Sequence, residues 1–545
     1  MTFQPLLNKS TSPVIFRMIN CAVLLSMSIS LSAFCQEFDI RGSLDAEALV
    51  YKTDIENNEA TQTEAIVIRP SILGNYTSRS LSASIAANHS RIKRIVDTDN
   101  VNDSTSQHFT NLRYTSDITL IKNSLILKFN GAQNYRAVNQ QQDNFSDEIL
   151  APENLTKYRN NSAQLNFSIP NPIYFGINLQ STYSKTQTDK SQADQIGVDG
   201  DNLGVSARLF QGKNIRLINF DISAQYNDTS RANFQNFEST RLRGDLGIPI
   251  IKKVDFIIVG NLEKNDSGQA EFTNRLNLDT SSYGAGLRWA PHNERKLSLT
   301  YNQLDNNINK TNFLGVNLDW VFSSRTALKF DYANRFFGDA YTLDFRHSLK
   351  SIRTSVTYSE SVTTFSRLNA SSNDINGIFV CEFGSTELTD CFQPASLNYQ
   401  LQVGQEFRAS TEIDTDISEE VMFRKSGSAT IGYDKRKVKM SVIATYQQTE
   451  YLESDRLSAN RSLRFNLTYA LGRRTNINFY SAISRNKFSE LGEPDTIMTN
   501  SINFSRNLSR DLIMNISARL LDRQSDSLGR DASDKRLTVG LNYTF

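Results

Sequence analysis

The chain closes on Leu537-Thr538-Val539-Gly540-Leu541-Asn542-Tyr543-Thr544-Phe545, and the reading of this stretch decides the fold. Leu537, Val539, Leu541, Tyr543 and Phe545 alternate with Thr538, Gly540, Asn542 and Thr544. Successive side chains of a β-strand point to opposite faces, so one face of this strand is apolar and the other polar. An apolar ladder ending in an aromatic residue is the form in which barrel proteins reach the outer-membrane assembly machinery. Tyr543 and Phe545 are therefore read as an assembly signal.

The same period of two recurs upstream. Ile173, Phe175, Ile177 and Leu179 alternate with Tyr174, Gly176, Asn178 and Gln180. Leu463, Phe465, Leu467 and Tyr469 alternate with Arg464, Asn466 and Thr468, and Leu512, Met514, Ile516 and Leu520 alternate with polar residues that include Arg519. A β-sandwich alternates too, so the connections must decide. Tight turns fall near 77–80, 121–123, 170–172, 212–214, 251–253, 291–294, 323–325, 349–350, 434–437, 472–474 and 507–511. Longer polar connections lie between them, such as 91–107, 137–156, 185–199, 265–279 and 486–495. Short turns on one side and long loops on the other are the rhythm of an outer-membrane barrel. The expected fold is all-β: a transmembrane antiparallel up-and-down β-barrel of about 24 strands. An even number places both ends of the barrel on the periplasmic side.

Composition agrees. Hydrophobic residues make up 39% of the 545, with formal net charge +1. Only alternate residues of a barrel strand meet lipid, so a polar average fits this class. No basic block is long enough for nucleic acid. Lys9 and Arg17 precede an apolar run from Met18 to Leu31, followed by Ala33-Phe34-Cys35. This layout predicts a cleaved signal peptide over 1–35 and a single barrel domain over 36–545. Strands beginning at Phe38, Ile40, Gly42 and Leu44 leave no room for the separate plug domain of a TonB-dependent transporter. One connection, 363–418, is out of scale, and the alternation of Leu397, Tyr399, Leu401 and Val403 suggests a hairpin inside it. It is read as the main extracellular loop, pinned by a disulfide between Cys381 and Cys391.

Two central motifs carry a resemblance. Arg335-Phe336-Phe337-Gly338-Asp339-Ala340-Tyr341 and Tyr358-Ser359-Glu360-Ser361-Val362-Thr363-Thr364 resemble the "R-F-F-G-D-x-Y" and "Y-S-E-x-V-T-T" patterns of the outer-membrane proteins associated with the PEP-CTERM/exosortase system. His347-Ser348 stands where many members have His-Arg. The resemblance implies an outer-membrane component of an exopolysaccharide-linked envelope system, with exopolysaccharide or envelope export components as partners; it implies no reaction. On the residues themselves, Phe336-Phe337-Gly338 predicts a very tight external hairpin, with glycine permitting the turn and the aromatics anchoring the outer interface. A part in folding and register is preferred over ligand binding for this motif.

Nothing points to an enzyme, a cofactor or a metal. His89, His108, His292 and His347 are scattered, and no phosphate loop, nucleophile elbow or dinucleotide fingerprint occurs. Asp97-Thr98-Asp99 is an acidic loop tip of the solvated kind. The inward face is expected to carry Arg241, Arg243, Asp245, Arg288, Asp344, Arg346, Arg464 and Arg519 among many amides and hydroxyls, which suits a hydrated pore or a braced wall. Trp289, Tyr341, Tyr358, Tyr469 and Tyr543 fit aromatic girdles at the lipid boundary. About 24 strands should enclose an interior too wide for side chains alone to fill. Three functions compete: a wide porin-like channel for a polar solute, a non-conducting barrel that docks polysaccharide or sorted proteins, and a soluble β-rich adhesin.

Overall fold

A computed structural model describes residues 37–545 except 57–59, 96–105, 138–145, 151, 190–197, 216, 233, 267–278, 293, 306–309, 372–378, 383–390, 393–404, 409–416, 489–491 and 526–529. The signal peptide, Asp97–Asp99 and the Leu397–Val403 alternation lie outside the described residues.

Twenty-four strands form one sheet in which each pairs antiparallel with its neighbours in the chain. The first, Glu37–Ile55, pairs with the last, Ala532–Thr544, from Ser43 opposite Thr544 to Ile55 opposite Ala532. That pairing closes the ring, so no edge is left to template aggregation. The shortest barrel strand has 10 residues and the longest 19, against the ~9–11 that a tilted strand needs to cross a bilayer.

Each of the eleven tight turns read from the sequence joins two paired strands, all at the end of the barrel where the first strand begins and the last one ends. Asn123, Asn171, Lys253 and Arg436 take up left-handed backbone at these turns. At the opposite end Arg335 pairs with Gly338 around a two-residue loop, Phe336-Phe337. Gly338 sits at φ +101° there, which a side chain would strain.

The long connection runs from the strand Ile352–Thr363 to the strand Met422–Lys435, which pair directly. It opens with a short helix, α1 (Phe365–Ser371). Thr364 caps this helix, its Oγ1 accepting the Arg367 N–H at 3.4 Å. Further on, Phe379–Glu382 pairs with both Cys391–Phe392 and Gln405–Arg408 in a separate three-stranded sheet. The loop therefore does contain strands among its described residues. Cys381 stands directly opposite Cys391 in that sheet.

The outward face is the apolar one. Leu537, Val539, Leu541 and Tyr543 are 53%, 47%, 46% and 49% exposed, and comparable rows run along nearly every strand. Trp289, Tyr341 and Tyr469 stand exposed on these rows, as girdle residues should, and Trp289 leans on Trp320 with ring centroids 5.3 Å apart. An apolar surface of this extent round a closed sheet fits a bilayer and not water. The protein is a transmembrane barrel.

Candidate functional site

Because alternate residues share a face, the inward row can be read from register. On the last strand Arg536, Thr538, Gly540 and Asn542 face a cavity of about 1260 Å³. It runs from the tight turn at Asp434–Lys437 up to the external loop at Asp147–Ile149. Amides and hydroxyls are the largest class on its wall, where Asn466, Asn476, Asn478, Asn503, Asn515 and Asn542 interleave with serines, threonines and charged side chains.

The arginines on the outer part of this wall are matched. Arg69 contacts Glu47 at 2.7 Å and Asp45 at 3.7 Å. Arg519 lines the cavity as expected, and with Arg536 it holds both Asp147 (3.3 and 3.1 Å) and Asp534 (3.4 and 3.5 Å). Asp147 also accepts the backbone N–H groups of Ile149 and Leu150 at 2.7 and 2.6 Å. Burial alone would raise the Asp147 carboxyl, but Arg536 and Arg519 hold it below its usual range.

This loop is seated on an apolar bed. Leu49, Tyr51, Val67, Ile92 and Phe109 are buried against Ile149 and Leu150. These side chains belong to the inward row, where polar residues were expected. An inward apolar patch near the outer end of four adjacent strands is the sequence signal for a loop folded into the barrel, and it had no place in a reading that set apolar outside and polar inside.

Four other expected lumen residues share a second, smaller cavity of about 80 Å³: Arg241, Arg243, Asp245 and Arg288. Arg243 grips Asp331 at 3.0 and 3.3 Å, and Asn317 donates to the same carboxylate at 3.0 Å. Arg288 pairs with Asp245 and Arg335 with Glu263. Arg464 lines a third recess with Arg424 and Asn460. Asp344 and Arg346 bond each other at 2.7 and 2.9 Å on the inward row of their strand.

Side chains alone do not fill the interior, which keeps the larger cavity, but they do cross it at one place. Arg243 and Asp331 sit on the tenth and fifteenth strands of the ring. With strands ~4.8 Å apart and tilted by ~40°, a round 24-stranded ring would be about 48 Å across. An arginine–aspartate pair cannot join walls five strands apart in such a ring, so the wall bends sharply there.

The outer rim is drawn together further. Arg231, fully buried at the end of the ninth strand, binds Glu453 at 2.9 Å in the hairpin joining the nineteenth and twentieth. It also donates to the Glu419 carbonyl at 2.8 Å. Helix α1 lies against the strands Leu155–Ser168, Phe175–Thr188 and Asp199–Gln211, so the start and finish of the long loop reach the far wall. Ser366 of α1 donates to the Glu419 carboxylate. Gly200 makes room for this contact, since a Cβ there would come within 2.7 Å of Ser366 Oγ. Burial pushes Glu419 up to about 7, against the pull of Ser366 and Arg231.

The resemblance motifs sit on this rim and spend their polar groups on one another. Arg335 Nε donates to Glu263 at 2.9 Å. Asp339 accepts from Tyr332 at 2.9 Å and Asn334 at 3.2 Å. Glu360 accepts from the Tyr358 hydroxyl at 2.5 Å and the Tyr341 N–H at 3.3 Å. Tyr358 is thus a half-buried partner of Glu360 more than a girdle residue. Phe336 and Phe337 turn to a buried cluster of Phe237, Val362 and Val421, with Phe337 4.4 Å from Phe423. They anchor the rim to the loop, where the sequence suggested the lipid boundary. Thr363 is buried at the end of its strand and Thr364 starts α1. His347 lies on an outward row, its Nδ1 2.8 Å from Thr326 Oγ1. Among the described residues no group of His, Cys, Asp and Glu could hold a metal ion.

No family model matches the sequence, and no curated protein does. Solved structures do match in outline. The siderophore receptor PirA from Pseudomonas aeruginosa is 10% identical over 93% of this chain and 80% of its own, with a TM-score of 0.36. The FrpB iron transporter from Neisseria meningitidis in its apoprotein form is 7% identical over 92% and 81%, with a TM-score of 0.41. A variant of the ferric enterobactin receptor PfeA from Pseudomonas aeruginosa, in complex with enterobactin, is 8% identical over 93% and 81%, with a TM-score of 0.42. The closed ring, its lipid-facing belt and its turns gathered at one end make this chain an outer-membrane β-barrel.

Proposed function

We propose that the protein is a gated outer-membrane channel for a neutral, polyhydroxylated polymer, an exopolysaccharide of the envelope system that the motif resemblance implies. The observation that carries this reading is the wall of the larger cavity. Asparagine amides both donate and accept, as sugar hydroxyls do, and Arg69, Arg519 and Arg536 of the wall are matched with acids. Such a lining serves hydroxyl groups better than it serves ions. The loop at Asp147–Leu150 and the long loop across the rim are the gate.

The test is conductance in planar bilayers, comparing the full chain with a form in which residues 365–420 are replaced by a short turn. The full chain should give small discrete steps. The shortened form should give larger ones, reduced by added neutral oligosaccharide. Silence from both forms, each shown to be folded by heat-modifiable gel mobility, would overturn the reading. The contact of Arg231 with Glu453 across the rim favours a second reading, a docking barrel that never conducts, and that silence is its signature.

A further inference from the structure

Just beyond the apolar belt, on the extracellular side of the outward face, like charges stand directly opposite each other. Lys52 faces Lys535 across the seam that closes the barrel. Arg461 faces Arg485. A third arginine, Arg91, faces an imidazole, His108. All six side chains are exposed on the outward rows. Four of them continue an apolar row by one step. Val50 precedes Lys52, Leu537 follows Lys535, Leu463 follows Arg461 and Ile483 precedes Arg485, and each of these four apolar neighbours is itself exposed. Arg91 lies three outward positions beyond Ile85, on the same row as His89 and Lys93.

Like charges opposite each other in a sheet are destabilising. Some other charges on this wall are matched, Lys185 with Asp199 and Asp201 at 3.5 and 3.6 Å, and Lys310 with Asp305 at 3.2 Å, while the acids Glu238 and Asp266 also face each other. Among the described residues none of the six forms an ion pair. Arg461 only leans over the Tyr446 ring, 5.7 Å from its centroid, and His108 Nε2 lies 3.4 Å from Ser106 Oγ. Two repulsive pairs and an arginine beside an imidazole thus face the headgroup layer with no ion-pair partner in the chain, although Asp54, Glu64 and Asp522 occupy outward positions next to the seam pair; an anion from outside the chain would balance them.

We propose that these pairs are seats for phosphorylated headgroups of outer-leaflet lipid, each phosphate bridging the two facing side chains. A phosphate oxygen accepts charge-assisted hydrogen bonds from both partners at once. The acyl chains then lie along the apolar rows directly below. Position selects the source, because these side chains border lipid and turn away from the lumen. Lipid phosphate at the closing seam also means that lipid helps to hold the first and last strands together.

Purified barrel in phosphatidylcholine nanodiscs, titrated with bisphosphorylated lipid A or with its fully dephosphorylated form, tests this. Wild type should prefer the bisphosphorylated lipid, and the combined variant Lys535→Gln, Arg91→Gln, Arg461→Gln should lose at least about tenfold of that affinity. Melting supplies a second readout. Without lipid A the variant should melt no lower than wild type, since a repulsion has been removed. With lipid A only wild type should gain. Equal binding of the two lipids by wild type, or an equal gain in melting for both proteins, would overturn the proposal.

Discussion

Gly42 and Phe545 exchange two backbone hydrogen bonds of 2.8 Å each, and the Phe545 ring covers the face that Gly42 leaves bare. A Cβ at position 42 would run into that ring. The aromatic end of the last strand is thus a plate over a glycine of the first, placed where the sheet must close. Tyr543 stacks beside it, with centroids 6.1 Å apart.

Gly42→Val should displace the ring and weaken the seam. The expected readout is a smaller heat-modifiable fraction and a lower melting temperature. Phe545→Ala should also destabilise, but the double variant should cost less than the sum of the two, because the clash and the cover are one contact. Strict additivity would show that ring and glycine are not coupled.

The rim pair Arg335–Glu263 is nearly buried on both sides. Arg335→Ala strands a buried carboxylate and should cost about 3–5 kcal/mol in urea unfolding from lipid vesicles. Combining it with Glu263→Gln should recover a good part of the loss. If the double variant is no more stable than Arg335→Ala, the carboxylate is not what makes the single change harmful.

Loop seating should depend on pH through Glu419. Its ordinary value of 4.5 is raised to about 7 by burial at the rim. Facing it are Arg231 and the Ser366 hydroxyl; Glu453, raised by burial in the same direction, shares Arg231. An acid with a higher pKa when seated binds its proton more tightly in the seated loop. Seating is therefore favoured most below pH 4.5, weakens as pH rises, and levels off above about 7. Proteinase K should cut the loop faster at pH 8 than at pH 5.5 after correction against a peptide substrate. Glu419→Gln should flatten the difference, and a slope unchanged in that variant would rule this carboxyl out.

Cys381 and Cys391 stand opposite each other on paired strands, where Cα atoms lie ~4.5–5.5 Å apart, within reach of a disulfide. Secreted wild-type protein should take up no alkylating reagent without reductant and two equivalents after reduction. Labelling of both thiols in unreduced protein would remove the disulfide from the account.

Much of this was legible in the sequence, for reasons that are local. The outward rows and the eleven tight turns follow from alternation and turn chemistry within a few residues, and the Phe336-Phe337-Gly338 hairpin follows from one glycine. What escaped is non-local. Arg243 meets Asp331 across 88 positions and Arg231 meets Glu453 across 222, and no periodicity encodes a meeting between walls. The apolar inward patch of Leu49, Tyr51, Val67 and Ile92 was visible as residues, but its meaning depends on Ile149 and Leu150 being folded onto it.

The most direct measurement is paired accessibility on the last strand. Single cysteines replace Thr538 and Val539 in a Cys381→Ser, Cys391→Ser background, with the folded protein in lipid bilayers. A small water-soluble maleimide entering through the lumen should label position 538 and leave 539 unmodified, while a spin label at 539 should be relaxed by lipid-dissolved oxygen and one at 538 by an aqueous nickel chelate. Protection of both positions from the aqueous reagents, the pattern of two faces packed away from water, would contradict a wet interior behind a lipid-facing wall.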